Sequence, residues 1–506
     1  MNTASMSRRR LLSAGGLVVA FSISSRVWPQ GAGGASKTKA AELPGSLKTT
    51  PLLDSWIRVD GEGKIVVFTG KAELGQGIKT ALVQVAADEL DVPAARITLI
   101  TADTARTPNE GVTAGSHSMQ DSGTAILNAA ANVRGLLTSA AAGRWNLAAS
   151  KITTTGEGAV RAPDGRTLSY GDLAASLDLH VAATPDAPRH TSTTNRLIGA
   201  DLPRVDIPAK LTGGSAYVHD LRLPGMLHAR VVRGPSFGTR LRGGDIEAVS
   251  AMPGIVKVVR RGAFTAIVAE AEWPAILALR RLQAAGWDRA AAALPPADPL
   301  AALRASPTQD IIVANVGGAA PAAGRRVEAR YTRPWLMNGA IGPSCAVALF
   351  DGGMMTVWTH SQGVFPLRRA LAELLGMAPE KVRCIQSEGS GCYGHNGADD
   401  VAADAALAAL AVPGRPVRLQ WMREQEHGWE PLGPGMVVEA SATLGADGRI
   451  ADWRYDVWSN AHNGRPVTAG GLLAGAEVEP PFPPRLPGQS RCRRAAATAT
   501  ASRSTI

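Results

Sequence analysis

Apolar residues run through Trp56-Ile57-Arg58-Val59 and Lys64-Ile65-Val66-Val67-Phe68, with Asp60-Gly61-Glu62-Gly63 between them, which predicts a β-hairpin. From Thr80 to Leu90 the apolar positions fall at helical spacing and stop before Asp91-Val92-Pro93. Arg96 to Ile100 reads as a strand, and Ser122 to Ala142 as a long alanine-rich helix. A second unit opens near Pro203. Its strands are expected at Tyr217–Asp220, Met226–Val232, Ile255–Val259 and Ala263–Ala269, and its helix at Trp273–Gln283. The Ala/Pro-rich stretch 290–325 reads as a linker or surface excursion. A third unit starts near Arg326. It carries strand Met355–Thr359, helix Pro366–Leu375, strand Lys381–Gln386, a glycine-rich loop at 389–397, helix Asp399–Leu410 and strand Val417–Trp421. This alternation has no barrel-like regularity, so the expected class is α+β with mixed sheets.

Composition sharpens the picture only in part. With 45% hydrophobic and 19% charged residues, the 506-residue chain is not a disordered one. A net charge of +10 first suggests a nucleic-acid partner. Its distribution argues otherwise. Six basic residues and no acid lie in 1–39, and five and none in 485–506, so the body from 40 to 484 is almost neutral. No nucleic-acid groove is expected from that. The four cysteines (Cys345, Cys384, Cys392 and Cys492) show no C-x-x-C spacing. An iron–sulfur cluster or structural zinc on this chain is therefore not expected, and redox electrons would leave through another subunit.

The first residues read Ser7-Arg8-Arg9-Arg10-Leu11-Leu12, followed by an apolar run to Ile23 that is shorter than the ~20 residues needed to cross a bilayer. An arginine pair before a short, weakly hydrophobic segment is the pattern of a twin-arginine export signal. Residues 1–39 are accordingly expected to be signal and linker, and the protein to be periplasmic or on the periplasmic side of the membrane.

Three loops open helices. Gly389-Ser390-Gly391-Cys392-Tyr393-Gly394 matches G-x-G-x-x-G between a strand and a helix. Against a dinucleotide fold, the loop continues through His395-Asn396-Gly397, and Asp399 and Asp400 sit in the first helical turn, where they are expected to cap the helix themselves. Lys71-Ala72-Glu73-Leu74-Gly75-Gln76-Gly77 is the second loop, and Thr113-Ala114-Gly115-Ser116-His117-Ser118 the third. Singly, each is as readily a turn or an N-cap as a site. Together they could surround one large polyanionic ligand.

At these residues the chain resembles the large, molybdenum-binding subunits of the xanthine dehydrogenase/aldehyde oxidase superfamily. It is most like the isoquinoline 1-oxidoreductase beta subunits, with nicotinate dehydrogenase and membrane-associated aldehyde dehydrogenase large subunits near. Glu73 to Thr80, Pro108-Asn109 and Thr113 to Ser118 resemble a molybdopterin-binding segment. Lys210-Leu211-Thr212-Gly213, Asp220 and Pro224 to Leu227 resemble the family's α/β-hammerhead domain, and Gly391 to Asp400 this subfamily's glycine loop. The resemblance implies molybdenum-cofactor-binding domains at 50–195 and 326–484, around a hammerhead domain at 203–290. It implies that Gly75, Gln76 and Gly77 meet the pterin dithiolene or phosphate, and that Ala114, Gly115, Ser116 and Ser118 hold its pyrophosphate. Gln362 would hydrogen-bond the molybdenum oxo group, and Gly391, Tyr393 and Gly394 would wall the metal. His395 is expected to be structural, because in this family pterin sulfurs hold the metal.

The implied cofactor is molybdopterin, in its cytosine dinucleotide form, with molybdenum. The implied partners are a small 2Fe–2S subunit, a cytochrome c acceptor, and an aldehyde or N-heteroaromatic substrate hydroxylated by water. The family's proton-accepting glutamate finds no matching motif here. After Pro484 the composition turns to Arg, Ala, Thr and Ser without apolar period, and a freely chosen back-translation of 495–506 reads in another frame as a glycine- and aspartate-containing continuation. The expectation is a frameshift shortly before residue 495, a truncated chain, little turnover and weak molybdenum retention. Two other readings stay open: a non-catalytic exported scaffold with the same fold, and a nicotinamide enzyme using 389–394.

Overall fold

In the hairpin β1 (Ile57–Val59) and β2 (Ile65–Thr69), Ile57 faces Val67 and Val59 faces Ile65. The Asp60 carboxylate makes the turn by accepting the N–H groups of Glu62 and Lys64. This computed structural model describes residues 42–235, 239–288, 297–316, 324–460, 462, 464–483 and the backbone of 490–497. The expected export segment at 1–39 lies outside the described residues.

Helix α1 (Ile78–Leu90) follows, then β3 (Ile97–Thr101), parallel to β2, as a crossover helix requires. Helix α2 (Thr124–Trp145) packs on α1 through Ile126, Ala129, Val133 and Leu137. The alanines let the two helices approach closely around Trp56, Val67 and Leu82, all fully buried.

The next elements are β4 (Leu227–Val231), β5 (Ile255–Arg261), β6 (Phe264–Ala269) and α3 (Glu272–Ala284). After β7 (Gln309–Val316) and β8 (Arg325–Arg333) come β9 (Cys345–Asp351), β10 (Met354–Thr359), α4 (Val364–Leu375), β11 (Val382–Gln386), α5 (Ala398–Leu410) and β12 (Val417–Gln420). The last strands are β13 (Met436–Leu444), β14 (Ile450–Ser459) and β15 (Ser490–Ala497).

Seven strands form one sheet in the order β11-β10-β9-β12-β4-β6-β5. Strands expected in two separate units are thus hydrogen-bonded neighbours, with Leu227 beside Val417 and Ala229 beside Leu419. Helices α4 and α5 cover one face, where Leu367, Leu371, Val401 and Ala405 pack on Ala229, Ala346, Val357 and Leu419. A second sheet has the order β7-β15-β14-β13-β8. Parallel and antiparallel pairs occur in both, as the α+β expectation with mixed sheets requires.

Several local expectations are corrected. Tyr217–Asp220 is not a strand: Val218–Asp220 is a 3-10 turn, and Tyr217 only bridges to Glu388. Its Asp220 carboxylate accepts the Tyr217 N–H and closes the turn. The stretch 290–325 is not a bare linker, because helix Pro299–Ala305 and β7 lie in it, the helix capped by Asp298. Ser490–Ala497 of the compositionally odd tail is a strand, between β7 and β14. The glycine loop does not serve a dinucleotide crossover, since two strands stand between β11 and β12.

Candidate cofactor site

The loops under suspicion follow the carboxyl ends of β2, β3 and β11, and the chain leaving β3 runs antiparallel to the end of β11. β10 and β11 are parallel, and at their ends lie Gln362 and the loop 389–397. The end of β3 is tied to this edge, because Ala102 O accepts the Gln386 N–H at 2.9 Å and Thr101 Oγ1 donates to Gln386 Oε1 at 3.2 Å. The loop after β2 joins too, where Gln386 Nε2 donates to Glu73 O at 2.8 Å. One sheet edge therefore collects all three sequence-suspected loops and Gln362, the place where crevices form in such folds.

Gln362 is 9% exposed and clamped on the third loop. Its backbone carbonyl accepts the Thr113 N–H at 2.8 Å, and its Nε2 donates to Thr113 O at 2.7 Å. Arg465 Nη2 donates to its Oε1. Thr113 Oγ1 accepts the Ala72 N–H at 2.8 Å, so the loops at 72 and 113 abut. Ala114, Gly115 and Ser116 are exposed beyond this clamp, and Ser118 is half-buried. Gly115 and Ser116 both take left-handed backbone, with φ of 68° and 59°. Glu110 anchors the loop's other end by accepting from Thr69 Oγ1, the Gly70 N–H and Ser122 Oγ.

The loop 73–77 is self-sufficient. The fully buried Glu73 carboxylate accepts the N–H groups of Gly75 at 2.8 Å, Gly77 at 3.0 Å and Lys79 at 2.9 Å. These are the amides that a phosphate would otherwise use. Gly77, at φ 86°, needs glycine and caps α1. The exposed Gln76 folds back, its Nε2 donating to Ala72 O and its Oε1 accepting the Leu74 N–H. Arg204 covers the loop: it donates to Gly75 O at 3.2 Å and pairs with Asp206. Lys210 bridges Asp206 and Glu388, at 2.6 Å to each, and Lys79 also reaches Glu388. Arg204, and next to it Lys210, hold the Asp206 carboxyl far below the usual carboxylate range, against the cost of burial. Three carboxylates and three cations thus balance, and a cation site here already has its charge supplied by lysine and arginine.

The loop 389–397 is less complete. Asn338 Nδ2 donates to His395 O, and a side chain at Gly389 would run into the His360 ring. Tyr393 takes left-handed backbone at φ 55°, is 64% exposed and lays its ring against Gly391. A Cβ at Gly394 would meet Asn338. Asp399 and Asp400 do not cap α5, which corrects the sequence expectation. Asn396 Oδ1 takes the Ala398 N–H, Asp399 accepts from Ser361 Oγ at 2.5 Å, and Asp400 accepts the Leu473 N–H at 2.8 Å. Both acids are buried and so bind tertiary partners. Burial works against ionised Asp399, but His395 at 3.3 Å, Arg465 at 3.7 Å and Ser361 outweigh it and lower its pKa. At Asp400 burial outweighs the Leu473 N–H and the Arg233 charge and pushes the pKa up to about 7. The buried Ser390 Oγ has no hydrogen-bond partner among the described residues.

These residues suit a pterin-borne metal. Cys392, the thiol of the loop, donates to Gly394 O at 3.3 Å, and burial first of all raises its pKa, so it is not a ready thiolate ligand. The Ser390 hydroxyl, without a partner among the described residues, and the exposed residues Ala114, Gly115 and Ser116 suit oxygen-rich ligand groups.

The molybdopterin cofactor-binding domain family matches the chain twice, over residues 21–197 and 306–473. The chain belongs to the molybdopterin-binding subunits of the xanthine dehydrogenase family. Among curated relatives of this family, a nicotinate dehydrogenase subunit of Pseudomonas putida is 38% identical over 437 residues, covering 84% of this chain and 36% of that protein. The beta subunit of isoquinoline 1-oxidoreductase from Brevundimonas diminuta is 30% identical over 290 residues, 49% of this chain and 37% of that protein. This molybdopterin-family chain therefore spans little more than a third of these relatives' length. Among solved structures, the aldehyde oxidoreductase of Desulfovibrio gigas aligns with 78% of this chain and 43% of its own, at 17% identity and a TM-score of 0.45.

Sequence reasoning missed Arg465 and Asn338, and the roles of Thr113 and Glu73. A carboxylate two residues before a G-x-G was a legible sign of an internal anion. Arg465, one arginine between Gly464 and Pro466, offered no sign.

Proposed function

We propose that this chain carries the molybdenum cofactor of an oxidoreductase that hydroxylates an aldehyde or an N-heteroaromatic compound with water as the oxygen source. The observation that carries the reading is the Gln362 clamp, which joins Thr113 to Arg465 and, through Asp399 in the first turn of α5, to His395 of the 389–397 loop. The cofactor, when bound, supplies the redox chemistry and the activation of water. The chain's own residues bind and orient. The exposed backbone at Ala114, Gly115 and Ser116, with the hydroxyls of Ser116 and Ser118, holds the phosphate-bearing part, and the cytosine dinucleotide form fits that reading. Gln362 presents an amide N–H, and Gly391, Tyr393 and Gly394 shield one side. In the loop 75–77 the glycine amides serve Glu73, so Gln76 contributes only by reorienting its exposed side chain. The proton acceptor is not assigned to a residue of this chain.

The lack of cysteine pairing supports electron transfer to a separate 2Fe–2S subunit and onward to a cytochrome c. The Arg8-Arg9 pattern supports twin-arginine export to the periplasm. The change of composition after Pro484 supports the frameshift proposal, which sequencing the DNA across 485–506 tests. One frame with no related frame beyond it would remove that idea. A second reading, a cofactor-free scaffold, is favoured by the self-filled loop at Glu73. Denaturation decides between them: release of a fluorescent pterin with molybdenum supports the enzyme reading, and its absence supports the scaffold.

A further inference from the structure

A glutamine amide has two faces that differ only in which end donates, and a half-turn of its last torsion exchanges them at little cost. The Gln362 amide is not free in this way. Arg465 Nη2 donates to Oε1, and the Thr113 carbonyl accepts from Nε2 at 2.7 Å. A half-turn would set the amide NH2 against a guanidinium and Oε1 against a carbonyl oxygen. Both contacts would be repulsive, in a residue only 9% exposed.

The guanidinium is itself held. Arg465 Nη1 lies 3.7 Å from Asp399 Oδ2, while Asp399 Oδ1 accepts from Ser361 Oγ at 2.5 Å. Ser361 precedes Gln362 in the chain, so Ser361, Asp399, Arg465 and Gln362 close a ring. Asp399 belongs to the first turn of α5, and Ser361 lies two residues past the end of β10. The ring therefore transmits the position of the glycine loop to the glutamine. Each Nε2 carries two hydrogens, and Thr113 takes one.

We infer that Arg465 is the positioning residue of the Gln362 amide, fixing it so that its second Nε2 hydrogen is directed into the cofactor site. The direction of that hydrogen toward a cofactor rests on the function proposed above; the fixing of the amide does not.

Two measurements separate these. In the cofactor-free chain labelled with 15N-glutamine, the Gln362 side-chain hydrogens should exchange with water about tenfold faster in Arg465→Met than in the wild type, with Arg465→Lys restoring most of the protection. Equal exchange in wild type and Arg465→Met overturns the inference. In chain loaded with cofactor and reduced with dithionite, the paramagnetic resonance of the metal should shift in Arg465→Met as it does in Gln362→Ala, and the double variant should match Gln362→Ala alone. A shift in Gln362→Ala with none in Arg465→Met also overturns it. A wild-type chain that releases no pterin defeats the proposed function, while the exchange measurement still decides the role of Arg465. Melting temperatures of the variants identify any that are simply unfolded, and if Arg465→Met is one of them, Arg465→Leu takes its place in both measurements.

Discussion

The loops at 73–77 and 389–397 look alike as strings of residues, each glycine-rich and opening a helix, yet the folded chain treats them oppositely. The first brings its own anion. Glu73 fills the amides of Gly75, Gly77 and Lys79, and Arg204 closes over Gly75. The second leaves the Ser390 hydroxyl without a partner among the described residues and presents Tyr393 to solvent. A glycine motif reports that backbone amides come close to something. Whether that something is a ligand depends on whether a neighbouring carboxylate has taken the place first.

The contrast is broken most severely by Glu73→Ala. It leaves three amides unpaired and the cations around Asp206 and Glu388 in excess, so a loss of about 3–5 kcal/mol in unfolding free energy is expected from denaturant titration. A loss under about 1 kcal/mol would mean that the carboxylate is dispensable. The next effect concerns Asp400, just beyond the second loop. Its folded pKa of about 7 lies above the ordinary ~3.9, so between those values the folded chain binds the extra proton. Its contribution is fully present below about pH 4, declines as pH rises, and is gone above about 7. Asp400→Asn, which keeps an oxygen for the Leu473 N–H, should therefore raise the melting temperature more at pH 8 than at pH 5. An equal change at both values would refute the raised pKa.

Ser390→Ala removes a hydroxyl that binds nothing among the described residues. Stability of the cofactor-free chain should stay equal or rise by up to about 1 kcal/mol, and pterin retention should fall. A drop in stability would reveal a partner within the chain and erase the difference between the loops. The smallest effect is that of Tyr393→Phe: at 64% exposure, a change within about 0.5 kcal/mol is expected from thermal unfolding.

The sequence was most legible where one element carries its own signal. The hairpin around Asp60-Gly61-Glu62-Gly63, helix α1 and the pair β10–α4 follow from period and turn residues, and the structure places them within a few residues of expectation. Pairings between distant segments were not legible. Nothing local in Leu227 or Val417 says that they are neighbours, so one sheet reads as two units. The site was legible in its glycines, its hydroxyls and Gln362. The residues that decide how those behave (Glu73, Thr113 and Arg465) act through contacts that exist only after folding.

The seven-stranded sheet has a kinetic consequence. Its central pairing joins β4 to β12 across about 190 residues, whereas the β1–β2–β3 unit is complete within the first fifth or so of the chain. During synthesis the early unit can form while the ribosome is still making the rest. The strands from 227 to 269 must wait with an unpaired edge until residue 420 has emerged. That interval is when the chain is most exposed to mispairing, and any chaperone serving it would have to cover the edge of β4.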